Sequence, residues 1–434
     1  RPRRLVEVLL KPIYARKANH TTIIAAFACY GSGLNPMTFW GSFYEKMRDT
    51  FYVTLCSVVR LRTRPGPREE PSSPPSESRE CRDRSLLVPA CGPPEREGGI
   101  VSTLTYHPNL EQLRHQAKDL LRAAKVGTAT LEALTLAAAQ LAVARDYGFA
   151  SWPRLKAEVE RRTIIDSRDP VRLAAMIAEH PELATEDMSG WSDHRALAPL
   201  SYVALMRCVV GEGVWRDMPG SGELARQLIA AGAPVNGRPG DRETPLITAA
   251  SYGDAEVARV LIESGASLET LSAPDAGGVP SASALTHAAV FGMTDVLDLL
   301  VASGANLDSI VLAAAAGDLT GWPVHEASEE DRLLALIMAA DHQRLEVIDA
   351  LLAAGTPINA EDETFGRQAL RLAAERGRAL SATHLLARGA DPRHRDPAKG
   401  RTALYWCRRY AKKIQFPSGH QEVDNILTTA LERA

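Results

Sequence analysis

From residue 107 onward the apolar positions recur at the three- and four-residue spacing of one helical face. Leu110, Leu113, Ala117, Leu120, Leu121 and Ala124 make the first such face. Asn109 before it and Gln112 three residues later have the arrangement of a capping box. A second helix is expected after Gly127, with Leu131, Leu134, Leu136, Leu141 and Ala144 apolar, ending near Tyr147-Gly148. The third opens at Ser151-Trp152-Pro153, where Ser caps and Pro occupies the first turn without losing a hydrogen bond. Its face is Leu155, Val159 and Ile164. Helices this short and one-sided are not stable alone, so they must pack on one another. Asp166–Leu183 fits one more degenerate outer helix, an N-terminal cap for the segment beyond it.

Beyond residue 197 the pattern repeats. Thr244-Pro245-Leu246 with Ala249-Ala250 and Gly253 aligns with Ser283-Ala284-Leu285, Ala288-Ala289 and Gly292, and again with Gln368-Ala369-Leu370, Ala373-Ala374 and Gly377. Fifteen residues past the second Ala stands another glycine: Gly265, Gly304, Gly389 and, after Ala339-Ala340, Gly355. Eleven past it stand Leu261, Leu300, Leu351 and Leu385; seven past it stand Val257, Val296, Val347 and once Ser381. From Gly232 the second glycines are spaced by 33, 39, 51 and 34 residues. The 39 reflects an extended finger at Ser272–Ser281. The 51 holds a curtailed unit at Ala313–Asp318, and the array is expected to be softest near Leu319–Glu330. Ala198-Pro199-Leu200 begins an earlier unit with an insertion around Gly211–Gly222, and Thr402-Ala403-Leu404 begins the last, closed by a polar-faced helix over Glu422–Arg433.

Over about 197–434 this register resembles the ankyrin repeat, a helix pair of about 33 residues with a T-P-L-H-x-A-A-x-x-G signature. The physics behind the columns is plain. Alanine pairs permit close helix packing, and glycine ends a helix in the left-handed conformation that a Cβ resists. The family's histidine after T-P-L is absent: Ile247, Thr286, Ile337, Arg371 and Tyr405 stand there. That histidine orients a Thr–His network between repeats, so its loss implies a looser, more individual array. With its leading Leu110–Lys125 and Tyr147–Pro153 segments, the chain also resembles bacterial ankyrin proteins that begin with such a helical module. The implied fold class is all-α: an ankyrin-repeat α-solenoid with short β-hairpin or turn fingers, a small helical module over 101–165, and an array over 166–434.

Residues 1–100 read differently, with poor periodicity and a Pro/Ser/Arg/Glu-rich stretch at Thr63–Pro94 that cannot build a core. They are taken as a disordered or non-native leader. Either the segment is a true tail, or it is upstream sequence translated from a misplaced start. The second reading is preferred, because Glu95–Gly99 corresponds to a purine-rich ribosome-binding site and Val101 to a GTG start. The leader carries 16 Lys/Arg against 10 Asp/Glu, and the body 34 against 43. A body at −9 repels phosphate backbones, which argues against nucleic acid as a partner. Thr21–Tyr30 and Phe51–Val59 fall short of the roughly 20 apolar residues of a membrane span, and no secretory signal follows the basic start. Cys208 and Cys407, placed on inner helices several repeats apart, are beyond disulfide reach. A cytoplasmic protein is expected.

Candidate chemistry is thin. His325-Glu326 begins like H-E-x-x-H, but Glu329 replaces the second histidine. Gly31-Ser32-Gly33 lacks a nucleotide-binding context, no G-K-[ST] occurs, and Glu329, Glu330 and Asp331 read as helix N-terminal charge. No catalytic residue, metal site or cofactor is therefore expected. The resemblance implies binding through inner-helix ends and finger tips on a concave face. The candidates are Tyr252, Phe291, His342 and Arg376 on the inner helices and Arg242, Arg367, Lys399 and Arg401 on the fingers. Tyr252 and Phe291 fit a spacer role between repeats equally well. The expected function is a monomeric, non-enzymatic scaffold or adaptor for a protein partner. Two alternatives stand beside it: a structural subunit docking through Leu110–Arg162, and a regulator with a small-molecule pocket between the module and the first repeats.

Overall fold

The computed structural model describes residues 102, 104–105, 107–190, 197–209, 214–215, 219–276, 278–362, 366–397, 399–412 and 419–433. The leader, with both readings of it, lies outside them. The first layer is three helices, α1 (Leu110–Lys125), α2 (Leu136–Asp146) and α3 (Trp152–Asp166). Asn109 caps α1 by accepting from the amides of Glu111 and Gln112 at 2.8 and 3.3 Å. Ser151 caps α3 through the Arg154 amide, as its sequence signature required. Leu104, Leu113, Ala117, Ala139, Val143, Leu155 and Val159 form the core of this layer. α2 begins later than its apolar pattern implied. Thr135 is its cap, and Leu134 and Leu136 are left 59% and 42% exposed, one just before the helix and one at its first position.

α3 leads on toward the repeat region. Ile164 and Ile165 are buried, and the chain reverses through Arg168, a non-glycine residue at φ +52°. Asp169 then donates its amide to the Ile164 carbonyl and caps α4 (Pro170–Glu179). The same closure recurs in later units: the residue after the left-handed position donates five residues back, from Asp254 to Ala249, Met293 to Ala288, Arg344 to Ala339 and Arg378 to Ala373. This is the bond that satisfies the orphan carbonyls of a helix end. The boundary expected at 165/166 falls within the last turn of a continuous helix.

Inner helices α5 (Pro199–Leu205), α7 (Pro245–Tyr252) and α9 (Ala284–Phe291) stack in succession, with outer helices α6 (Ser221–Ala230), α8 (Ala255–Glu263) and α10 (Thr294–Ala302) behind them. Alanines make this spacing possible: Ala249, Ala250, Ala288, Ala289, Ala373 and Ala374 are at most 1% exposed. Between α5 and α6 lies the insertion, containing a short antiparallel pair of Cys208–Val209 with Val214–Trp215. Cys208 is therefore on a strand, a correction to its placement on an inner helix. The last two fingers are turns closed by paired backbone bonds: Asp362 and Asp396 donate to Arg367 and Arg401, and accept from Gly366 and Gly400.

The long interval resolves into a half unit. α11 (Ile310–Ala316) is an inner helix, buried from Ile310 to Ala315, and it packs on α12 (Glu329–Asp341). Among the described residues no outer helix follows it; residues 317–328 form a largely exposed loop instead. Arg344 closes the gap, donating Nε to the Ala315 carbonyl at 2.8 Å and pairing with Asp298 on α10. The unit is then completed by α13 (Leu345–Ala353), followed by α14 (Ala369–Glu375) with α15 (Ala379–Ala387), and α16 (Ala403–Ala411) with α17 (His420–Arg433). The soft segment narrows accordingly to the loop, since α11 itself is packed. In hydrogen exchange, amides of 317–328 should exchange well before those of 245–263 and 369–387. Equal protection of the three segments would show the loop to be part of the block.

Candidate partner interface

The inner helices end on one register position, and each end is finished differently. Tyr252 and Phe291 are the half-buried last residues of α7 and α9, the Phe291 ring 6.0 Å from that of His287. Arg376 caps α14 and keeps 23% of its side chain exposed. His342 occupies the matching place after α12 and is 2% exposed, which corrects the expectation of a surface position. Its Nε2 donates to the Ala289 carbonyl at 2.9 Å, and Nδ1 accepts from the Thr294 hydroxyl at 2.9 Å. Burial, chiefly, lowers its pKa to about 4, so the ring stays neutral with both nitrogens used. Sequence spacing could not reveal this, because the partner carbonyl lies 53 residues away.

Asp341 beside it is fully buried between two guanidiniums, Arg378 Nε at 3.3 Å and Arg376 Nε at 3.6 Å. Burial opposes ionisation here, but Arg376 and Arg378 outweigh it and hold the carboxyl below the usual carboxylate range. The same two arginines reach back to the Val290 and Gly292 carbonyls at the end of α9. Arg207 likewise reaches the Gly253 carbonyl, and His420 donates to that of Glu375 at 2.9 Å. A Cβ on Gly377, at φ +69°, would lie 2.7 Å from His420 Nδ1, so both backbone shape and approach demand glycine there. Cationic side chains on helix C-terminal carbonyls also complement the helix dipole.

None of these contacts comes from the column in which the family has its histidine. One further histidine, His287, sits one position past that column and is fully buried. Its ring bridges Val279 of the finger, 2.9 Å from Nε2, and Ser251 of the preceding inner helix, 2.8 Å from Nδ1; burial lowers its pKa to about 4. The units are thus joined by individual side chains in place of a repeated one.

The finger candidates divide. Arg242 is half-exposed and pairs with Asp275 across to the next finger. Arg367 is only 7% exposed, a second correction, since its own backbone closes the finger around Asp362. Lys399 and Arg401 are exposed on the last finger. Asp396 builds that finger, accepting from the Lys399 and Arg401 amides and from Trp406 Nε1 at 2.6, 3.0 and 3.0 Å. Lys399 and Arg371 stand 5.1 and 4.5 Å from the Trp406 ring centre, and Arg401 stands 4.8 Å from that of Tyr405. Arg371 and Tyr405, which the sequence marks only as departures from the histidine column, thus belong to this cluster.

Other chemistry is sparse. Among the described residues no group of three or more His, Cys, Asp or Glu is placed to hold a metal ion, and no helix is long and apolar enough to cross a membrane. His325-Glu326 lies in a single 3-10 turn. Cys407 is buried on α16, where burial pushes its thiol up to about 11, far from a reactive thiolate. An open cleft of about 480 Å³ lies between the start of α1 and the α3–α4 edge, lined by His107, Asn109, Lys156, Glu160 and Arg172.

Comparison with known proteins bears on the repeat region. A family model described as ankyrin repeats, in three copies, matches residues 218–311. None of the curated proteins compared matches the chain. Among solved structures, the human ASB11 ankyrin repeat domain is similar at 20% identity, covering 62% of this chain and 96% of that one with a TM-score of 0.31. The residues matched by the family model span α6 to the start of α11, the stretch that carries paired helices, buried alanine columns and left-handed glycines. Residues 218–311 of the chain therefore carry ankyrin repeats.

Proposed function

We propose that the array is a non-enzymatic scaffold that holds a protein partner on the concave face lined by its inner helices and finger tips, acting as a cytoplasmic monomer. The supporting observation is positional. Tyr252, Phe291 and Arg376 occupy one register position in three units, each half-exposed at the end of a helix that is otherwise almost wholly buried. Tyr and Arg are the side chains that dominate interface energetics. Capture from cell extract by the full chain should be compared with capture by a Tyr252→Ala/Phe291→Ala variant. Bound protein should fall at least about tenfold, as expected for loss of two hot-spot residues. Undiminished capture by a folded variant would refute this face.

A second reading has its own observation. Val126, Leu134 and Leu136 project at the α1–α2 turn with 74%, 59% and 42% exposure. Docking of the helical module into a larger assembly would use this apolar edge. If so, capture is lost on Val126→Glu/Leu134→Glu and survives the change at Tyr252 and Phe291.

A further inference from the structure

The last unit departs from the charge of the array that carries it. Residues 388–413 hold nine Lys/Arg and two Asp/Glu, inside a body whose formal balance is −9. Elsewhere arginines of the array face carboxylates, Arg238 with Asp187, Arg242 with Asp275 and Arg344 with Asp298, and at the two ends of this segment Arg388 and Arg408 pair with Asp349 and Asp424. On the last finger Arg393, Arg395, Lys399 and Arg401 make no ion pair among the described residues. Lys399 and Arg401 have aromatic neighbours instead. The Tyr405 and Trp406 rings lie 5.4 Å apart at 86°, with Arg401 over one and Lys399 over the other.

Three features make this a prepared surface. Asp396, 2% exposed, fixes the backbone of both cationic residues, and the Arg395 guanidinium donates to the Gly400 carbonyl across the same loop. The rings hold the cationic heads in place, so less side-chain entropy is lost when an anion arrives. The charge is also confined to one unit. Nucleic acid gains affinity by neutralising many phosphates along a track, and here a track would run on past Asp349, Glu361 and Asp391. A short run of carboxylates fits inside the patch.

We propose that the last finger and α16 bind an acidic segment of a protein partner, its carboxylates paired with Lys399 and Arg401 and their neighbours and its backbone lying against Tyr405. The inference rests on the protein-binding reading above and adds the chemistry of what is bound. Guanidinium groups suit carboxylates because their planar fork donates two parallel bonds.

The test uses the full chain and a fluorescein-labelled hexaglutamate peptide, read by fluorescence anisotropy at low and moderate salt. Saturable binding is expected. It should weaken with salt and be reduced at least about tenfold in Lys399→Glu/Arg401→Glu, the effect of reversing two contact charges. Should that variant melt lower than the parent chain, Lys399→Gln/Arg401→Gln keeps the finger and removes only the charge; it too should bind more weakly. A single-stranded oligonucleotide and phosphatidylserine vesicles should bind less tightly than the peptide. The proposal is overturned by peptide binding that does not saturate, by equal binding to the charge variants, or by tighter binding of the oligonucleotide or the vesicles. Failure here with capture through Tyr252 and Phe291 intact discards the acidic partner alone; loss of that capture discards the scaffold reading with it.

Discussion

Leu261→Ala and Leu300→Ala should each lower the unfolding free energy by about 2–5 kcal/mol. Both leucines are 0% exposed and sit on outer helices wedged against the neighbouring units. Removing either takes away transfer free energy and leaves a void that stacked helices close only in part. Urea denaturation followed by far-ultraviolet circular dichroism provides the measurement. Leu380, also on an outer helix but 60% exposed, is the control, and Leu380→Ala should change stability by less than about 0.5 kcal/mol. Equal effects at Leu261 and Leu380 would mean that the outer-helix columns do not carry the packing.

The second large effect belongs to the buried charge. Asp341→Ala should cost about 3–5 kcal/mol, because it leaves Arg376 and Arg378 facing each other beneath the surface without their counter-ion. The pH dependence has a definite sign. The Asp341 carboxyl titrates below its unfolded value of about 3.9, so its contribution is complete above that value and is lost as pH falls through the folded one. His287 and His342 act earlier. Their folded values of about 4 lie below the unfolded value of about 6.5, so between those limits protons bind first to the unfolded chain. Stability should therefore decline from about pH 6.5 downward, and Asp341→Ala should lose the lower part of the decline while keeping the upper. A melting temperature in Asp341→Ala matching that of the parent chain at pH 7 would show that the ion cluster is not coupled to folding.

Glycine, alanine and leucine columns were legible in the sequence because each answers to a local steric demand that repeats. Gly253, Gly292 and Gly377 all stand at φ between +69° and +74°, at the positions their spacing marked. Where the same backbone shape is taken by Arg168 or Gln343, at φ +52° and +58°, the glycine signal is missing although the helix end closes with the same backbone bond. Non-glycine residues enter this region too rarely for sequence to announce it. His342 escaped for another reason: its burial is decided by an acceptor on α9, and no local periodicity encodes that. The cationic finger was hidden by averaging, since a balance struck over the whole body dilutes a run of 26 residues. Lys399 and Arg401 were marked as finger tips, but the aromatic floor beneath them needed the fold.

The reach of the α9 contacts bears on how the chain is made. Carbonyls at the end of that helix accept from His342, 53 residues later in the Ala289 bond, and from Arg376 and Arg378, 86 residues later. A ribosome adding about 5–20 residues per second needs about 4–17 s to deliver the last of these. Until then the helix end keeps water as its partner, and the middle of the array waits, partly docked, for a cap that has yet to emerge. A chaperone that meets this nascent chain would find its longest-lived incomplete surface there, midway along the repeats, and the final lock would come from the C-terminal side.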